Sequence, residues 1–148
     1  MPRLLENRRA FFDYEILEKF EAGLELTGSE VKSLRSHRGL LTGAHAIIRG
    51  GEAYIVGFNI PPYQASNRTE KNEEGRTIRL LLNKKELNFL DGKISHTGLT
   101  IIALSVYTKG GRIKVELGLA KGKKKFDKRE TIRRREDSRS IARTLKRE

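Results

Sequence analysis

No cysteine occurs among the 148 residues, which excludes structural disulfides, cysteine-ligated zinc and thiol catalysis. Tryptophan is also absent and aromatic residues make up only 7% of the chain, so few rings are available to stack on a base. No apolar run reaches the roughly 20 residues of a membrane-spanning helix. The first residues, "MPRLLENRRAFF", lack the apolar stretch of a signal peptide, so the expectation is a soluble cytoplasmic protein without a membrane partner. The three histidines, His37, His45 and His96, have neither metal-ligand spacing nor an acidic neighbour in sequence, and no metal or cofactor is expected. "GLAKGKK" has the wrong spacing for a phosphate loop and no Ser/Thr after its lysine.

Acidic residues are also scarce. Nineteen Asp/Glu stand against 31 Lys/Arg, a formal net charge of +12 and a pI near 10.2. That excess favours a polyanionic partner, nucleic acid before an anionic membrane surface. Residues 121–148 alone carry 13 basic and 5 acidic side chains, so two-thirds of the excess sits in the last 28 residues. A nearly balanced body, residues 1–122, is therefore followed by a basic tail, residues 123–148.

In the body, "FFDYEILEKFEAGLELTG" places Phe12, Tyr14 and Ile16, then Phe20, Ala22, Leu24 and Leu26, on one parity, the period of a strand. Glu18 breaks the alternation while Leu17 takes the other face, which predicts a bulge there. Glu15 and Glu21 share a parity that Glu18 does not. "TGSEVKSLRSHRG" reads as a short helix with a capping box, Thr27 and Glu30, and a stop at Gly39. Two apolar runs about Gly50-Gly51 predict a hairpin whose second strand ends at Pro61-Pro62. Residues 63–76 are polar and read as a mobile surface loop. "TIRLLL" predicts a strand. "NKKELNFLDGKI" predicts a helix capped by Asn83 and Glu86, with Leu87, Leu90 and Ile94 on one side. A last hairpin turns at Gly110-Gly111, with Ile113, Val115, Leu117 and Leu119 alternating with Arg112, Lys114, Glu116 and Gly118. About six short antiparallel strands with two or three short helices predict a mainly β fold, an OB-like barrel.

The tail has helical signals without a face to bury. Asp127 and Glu130 have capping-box spacing, which would start a helix at Lys128. Ile132, however, falls opposite Ile141 and Leu145, and Arg133 to Arg135 repel one another. Such a helix is marginal alone, so the tail is expected to be disordered when free and helical in a polyanionic channel. Phe126 has no apolar neighbours, and stacking on a nucleobase accounts for it better than core packing. From the residues alone two readings stand: a generic OB-type ribosomal or translation-factor RNA-binding protein with a basic extension, or a metal-dependent nuclease using Glu15 and Glu21.

"NRRAFFDYEILEKFEAGL", "GSEVKSLR", "RTIRLLLNKKEL" and "GLAKGKKKFDKR" occur in the order and at the spacings of one family. The chain resembles the SsrA-binding (SmpB) family over almost its whole length. The resemblance implies a non-enzymatic adaptor of trans-translation. It would bind the tRNA-like domain of transfer-messenger RNA (SsrA) and deliver it to the vacant A site of stalled ribosomes, standing in for codon–anticodon pairing. Elongation factor Tu with GTP and alanyl-tRNA synthetase would be indirect partners through the charged RNA. By motif, Glu21, Lys32, Arg35, Leu81, Asn83 and Lys84, with Lys121, Gly122, Lys123 and Lys124, are implied to bind RNA. Phe126, Asp127, Lys128, Arg129, Ile132, Arg133 and Leu145 are implied to lie at the decoding centre and in the empty mRNA channel, against 16S rRNA of the small subunit.

Overall fold

Two glycine pairs set the hairpins. Gly50-Gly51 and Gly110-Gly111 all have positive φ, between 58° and 76°, the backbone that a two-residue turn needs to match the twist of its strands. They join β3 (His45–Arg49) to β4 (Glu52–Val56), and β6 (Leu99–Lys109) to β7 (Arg112–Gly122). The computed structural model describes residues 3–63, 76–95 and 98–122. Around these hairpins lie β1 (Arg3–Glu6), α1 (Arg8–Asp13), β2 (Tyr14–Leu24), α2 (Gly28–Arg35), β5 (Ile78–Leu81) and α3 (Lys84–Ile94).

All strand pairs are antiparallel, in the order β1-β6-β3-β4-β5-β2-β7, and β7 pairs again with β6. Six strands thus close on themselves as an OB-like barrel. β1 lies outside that ring, on the edge of β6 beyond the short β3 pairing. Ile55, Ile78, Leu80, Ile101, Val106, Val115 and Leu117 fill the interior, each at most 1% exposed. Leu34 of α2 and Leu90 of α3 are fully buried against the same core, and Leu87 and Ile94 pack beside it.

The local signals hold. Both capping boxes form: Thr27 Oγ1 accepts from the Glu30 amide at 3.2 Å, and Asn83 Oδ1 from the Glu86 amide at 2.8 Å. Glu30 is 4% exposed, and its carboxylate also takes two hydrogen bonds from Arg76, at 2.9 and 2.6 Å. α2 ends at Arg35, ahead of the expected stop at Gly39, because His37 already adopts a left-handed φ of 59°. The His37 ring donates through Nδ1 to the Leu4 carbonyl at 3.0 Å, tying α2 to β1.

Other expectations are corrected. Phe12 is not on a strand but in α1, and neither α1 nor β1 was expected. The cause is Asn7, 4% exposed, whose amide donates to the Ala103 carbonyl at 2.8 Å and so fixes the chain across β6. The bulge does fall between Ile16 and Glu18 in the β2–β7 register. It also exchanges the faces of β2. Tyr14 and Ile16 join Ala10, Leu104 and Ala120 in a small cluster outside the barrel, while Phe20, Ala22 and Leu24 face the core. Glu15 and Glu18 consequently share one face by register and Glu21 takes the other, the reverse of the simple alternation. β4 stops at Val56 rather than at Pro61, because Gly57, at φ 75°, turns the chain. Residues 64–75, His96 and residues 123–148 lie outside the described residues, and so do the expectations for them.

Glu30→Ala removes half of a capping box and a two-bond ion pair together. It is expected to destabilise the full chain by about 2–3 kcal/mol in urea unfolding, and Glu30→Gln, which keeps an acceptor, by less.

Candidate nucleic-acid interface

β7 pairs with β2 on one side and β6 on the other, so three strands present one outward face. Outward positions follow from the register: Glu21 is opposite Glu116, and Gly23 is opposite both Leu81 and Lys114. Tyr107 is opposite Lys114 from the other side. Like charges directly across a ladder repel. Here each carboxylate has its own partner. The Tyr107 hydroxyl reaches diagonally over β7 and donates to Glu21 Oε2 at 2.5 Å. Lys109 Nζ lies 3.3 Å from both Glu21 oxygens, and Lys19 Nζ lies 3.9 Å from Glu116.

The Tyr107 hydrogen bond and then Lys109 hold the Glu21 carboxyl below its ordinary pKa, against a smaller opposing effect of burial. Burial, and then Glu21 itself, push the Tyr107 phenol up, so it remains a protonated donor at neutral pH. Glu21 is therefore an ionised acceptor in a basic surround.

Leu81 sits where no core residue should. It is 51% exposed and lies over Gly23, where a Cβ would come within 3.1 Å of the Leu81 Cβ. A shallow cavity of about 340 Å³ opens beside the two, edged by Arg35, Arg112 and Lys114. Arg35 reaches the hairpin turn and donates to the Gly111 carbonyl at 3.2 Å. An exposed leucine ringed by guanidinium and ammonium groups around one ionised carboxylate suits a polyanion that also offers apolar surface and hydrogen-bond donors. A folded RNA has all three.

The chain matches the family described as SmpB protein over residues 4–147. It belongs to the SmpB family. It is 49% identical over 144 residues to the SsrA-binding protein of Gloeothece citriformis, covering 97% of this chain and 93% of that one. To the SsrA-binding protein of Nostoc punctiforme it is 48% identical over 143 residues, covering 97% and 92%. A solved structure described as tmRNA-SmpB on a journey to the centre of the bacterial ribosome aligns with a TM-score of 0.69 at 45% identity, covering 88% of this chain and 94% of that one.

The residues singled out by the SmpB motifs fall into two groups. Glu21, Leu81 and Arg35 gather at one end of β7. Asn83 follows two positions after Leu81 on the same parity, and the β2–β5 register carried on by two residues would set it level with Glu21. Its side chain already caps α3, with exposed Lys84 next. Lys32 is exposed on α2, its Nζ 5.9 Å from the centre of the Tyr63 ring. Lys121 and Gly122 do not join this group. They are exposed at the far end of β7, about 23 Å from Lys114 at the rise of a strand, where Gly122 pairs with Tyr14. Lys123, Lys124, Phe126, Asp127, Lys128, Arg129, Ile132, Arg133 and Leu145 lie beyond the described residues. The carboxylate pair of the nuclease reading does not form. Glu15 and Glu21 lie six residues apart along β2, about 20 Å, and on opposite faces.

Tyr107 and Lys109 were not foreseen as parts of the site. Alternation does set Arg112, Lys114 and Glu116 on one face, but nothing in it tells that β2 is the strand beside them. Among the described residues no helix is long and apolar enough to cross a membrane. Leu81→Ala is expected to change stability by less than about 1 kcal/mol in thermal unfolding, against roughly 2–5 kcal/mol for Leu117→Ala in the core. Equal losses would make Leu81 a packing residue instead.

Proposed function

We propose that the protein is an RNA-binding adaptor of trans-translation. It binds the tRNA-like domain of transfer-messenger RNA with the face around Glu21, Leu81, Asn83 and Arg35. It enters the vacant A site of a ribosome stalled without a stop codon, where the nascent chain is tagged and the ribosome freed. Lys121 and Gly122 lead into the basic tail, which folds along the empty mRNA channel against 16S rRNA, with Phe126 at the decoding centre. The protein supplies binding and geometry rather than catalysis and acts in the cytoplasm without a cofactor. Elongation factor Tu with GTP and alanyl-tRNA synthetase meet it only through the RNA.

The observation that carries this reading is the match to SsrA-binding proteins along 97% of the chain, so that both barrel and tail are accounted for. The placing of the two residue groups at opposite ends of β7 supports a division of labour. One end would hold the RNA, and the other would point the tail at the ribosome.

A chain ending at Lys125 is expected to keep cooperative unfolding and most affinity for transfer-messenger RNA, and to fail in reconstituted tagging. Phe126→Ala is expected to lose part of the tagging, with about 1–3 kcal/mol for the missing stack. Normal tagging by the truncated chain would refute the division of labour. With about 4 phosphates contacted, the log–log slope of affinity against salt is expected near −3 in gel-shift titrations. A flat response would mean that the +12 charge serves solubility alone.

A further inference from the structure

We infer that Gly23 is a positioning residue for Leu81. By carrying no side chain it gives the leucine a seat across β2, and so fixes the apolar surface that the RNA covers. This deepens the RNA-binding role proposed above and rests on it.

A glycine inside a strand weakens it relative to alanine, because the unfolded chain gains freedom and no side chain packs. A left-handed backbone is the common reason to keep one. Gly23 has no such need, since it is not among the glycines of positive φ. Its reason is space. Lys19, Glu21 and Gly23 follow one another on the outward face of β2, and only the last leaves a gap. The register sets Leu81 of β5 on one side of that gap and Lys114 of β7 on the other.

Leu81 fills the gap. An alanine Cβ at residue 23 would stand 3.1 Å from Leu81 Cβ, 3.3 Å from its Cδ1 and 3.6 Å from its Cγ. The first two are closer than the roughly 3.5–4.0 Å of a relaxed carbon contact. Three successive carbons at that range mean that the side chain lies along the glycine instead of standing off the sheet. One flank is thus packed, yet the residue is 51% exposed. A leucine held on one flank has few rotamers left, so little ordering remains to be imposed when a partner arrives. The cavity of about 340 Å³ beside it is lined by Arg35, Arg112 and Lys114. An RNA can set a sugar or base face on the leucine and a phosphate toward those cations.

On β7, Gly118 lies opposite Lys19, and a Cβ there would come within 3.0 Å of Leu104 Cδ1 and 3.2 Å of Ile16 Cγ2. At that end the missing side chain serves packing, since Leu104 is 1% exposed. At Gly23 the seated leucine keeps an open flank. The two glycines therefore differ in what an added methyl group displaces. At residue 118 it presses on a closed cluster. At residue 23 it presses on a side chain that can swing into solvent, which moves the leucine without straining the core.

The test uses the full chain with transfer-messenger RNA in gel-shift titrations, beside thermal unfolding of each variant. Leu81→Ala is expected to weaken binding about tenfold, for the apolar area that the leucine would bury. Gly23→Val, which fills the seat, is expected to match it, and Gly23→Ala to fall between Gly23→Val and the wild type. Neither Gly23 variant should lower the unfolding midpoint, because both residues suit a strand better than glycine and the displaced leucine is exposed. Gly118→Ala should lower it. The double variant Gly23→Val with Leu81→Ala should bind no more weakly than Leu81→Ala alone, because Gly23 acts only through the leucine. In carbon-13 methyl NMR the two Leu81 methyl shifts, well separated in the wild type, should converge in Gly23→Val as the rotamers average. A purely structural role for the glycine would not move them in that way.

Wild-type affinity in Gly23→Val or unchanged Leu81 methyl shifts would each overturn the inference. A further loss in the double variant would do the same, since the added side chain would then block the RNA itself. So would a Gly23→Val midpoint lowered as far as that of Gly118→Ala, which would make Gly23 a packing residue. If the wild type binds and any of these results appears, this inference alone fails. A wild type that does not bind transfer-messenger RNA would remove the RNA-binding role, and this inference with it.

Discussion

The β7 ladder is the interaction on which the molecule depends. From Lys114 to Gly122 the strand pairs with β2, and from Arg112 to Lys121 with β6. Those pairings close the ring, and their inward residues, Val115, Leu117 and Leu119, supply part of the core. The outward residues of the same strand define the surface. A change that breaks the ladder would therefore open the core and scatter the site together. The separation of the two ends of β7 also follows from it, since a paired strand is a stiff spacer whose length is fixed by residue count.

On that frame the Glu21 cluster is a local conflict held in place. Two carboxylates, Glu21 and Glu116, face each other across the ladder. A fold selected only for stability has no need of that pairing. Tyr107, Lys109 and Lys19 answer the conflict with one phenol and two ammonium groups rather than by neutralising either acid. An acceptor kept ionised beside a basic, partly apolar surface is what a folded RNA with exposed base donors requires. The proposed RNA face and the conflict are thus one feature.

Much of this was legible in the residues, and the reason is range. Capping boxes at Thr27 and Asn83 and turns at the glycine pairs depend on neighbours three residues away or fewer, and each forms as its spacing predicts. The bulge at Leu17 was readable from a break in alternation, but its effect on the faces of β2 was not. That effect depends on which strand holds the register fixed, and here it is β7. α1 escaped notice because Asn7 makes no capping bond; its side chain instead ties to residue 103. The Glu21–Tyr107 contact spans 86 residues, and periodicity carries no information at that distance. The family resemblance singled out Glu21, Leu81 and Asn83 as candidates. It could not tell that Lys121 and Gly122 belong to a different end of the molecule.

The central claim is that one end of β7 takes the RNA and the other launches the tail. Amide NMR of the full chain, titrated with the tRNA-like domain of transfer-messenger RNA alone, tests it directly. The account predicts shifts concentrated at Glu21, Gly23, Leu81, Tyr107 and Lys114, with Tyr14, Lys121 and Gly122 left unperturbed. Shifts concentrated at Tyr14, Lys121 and Gly122, with the Glu21 end silent, would contradict it.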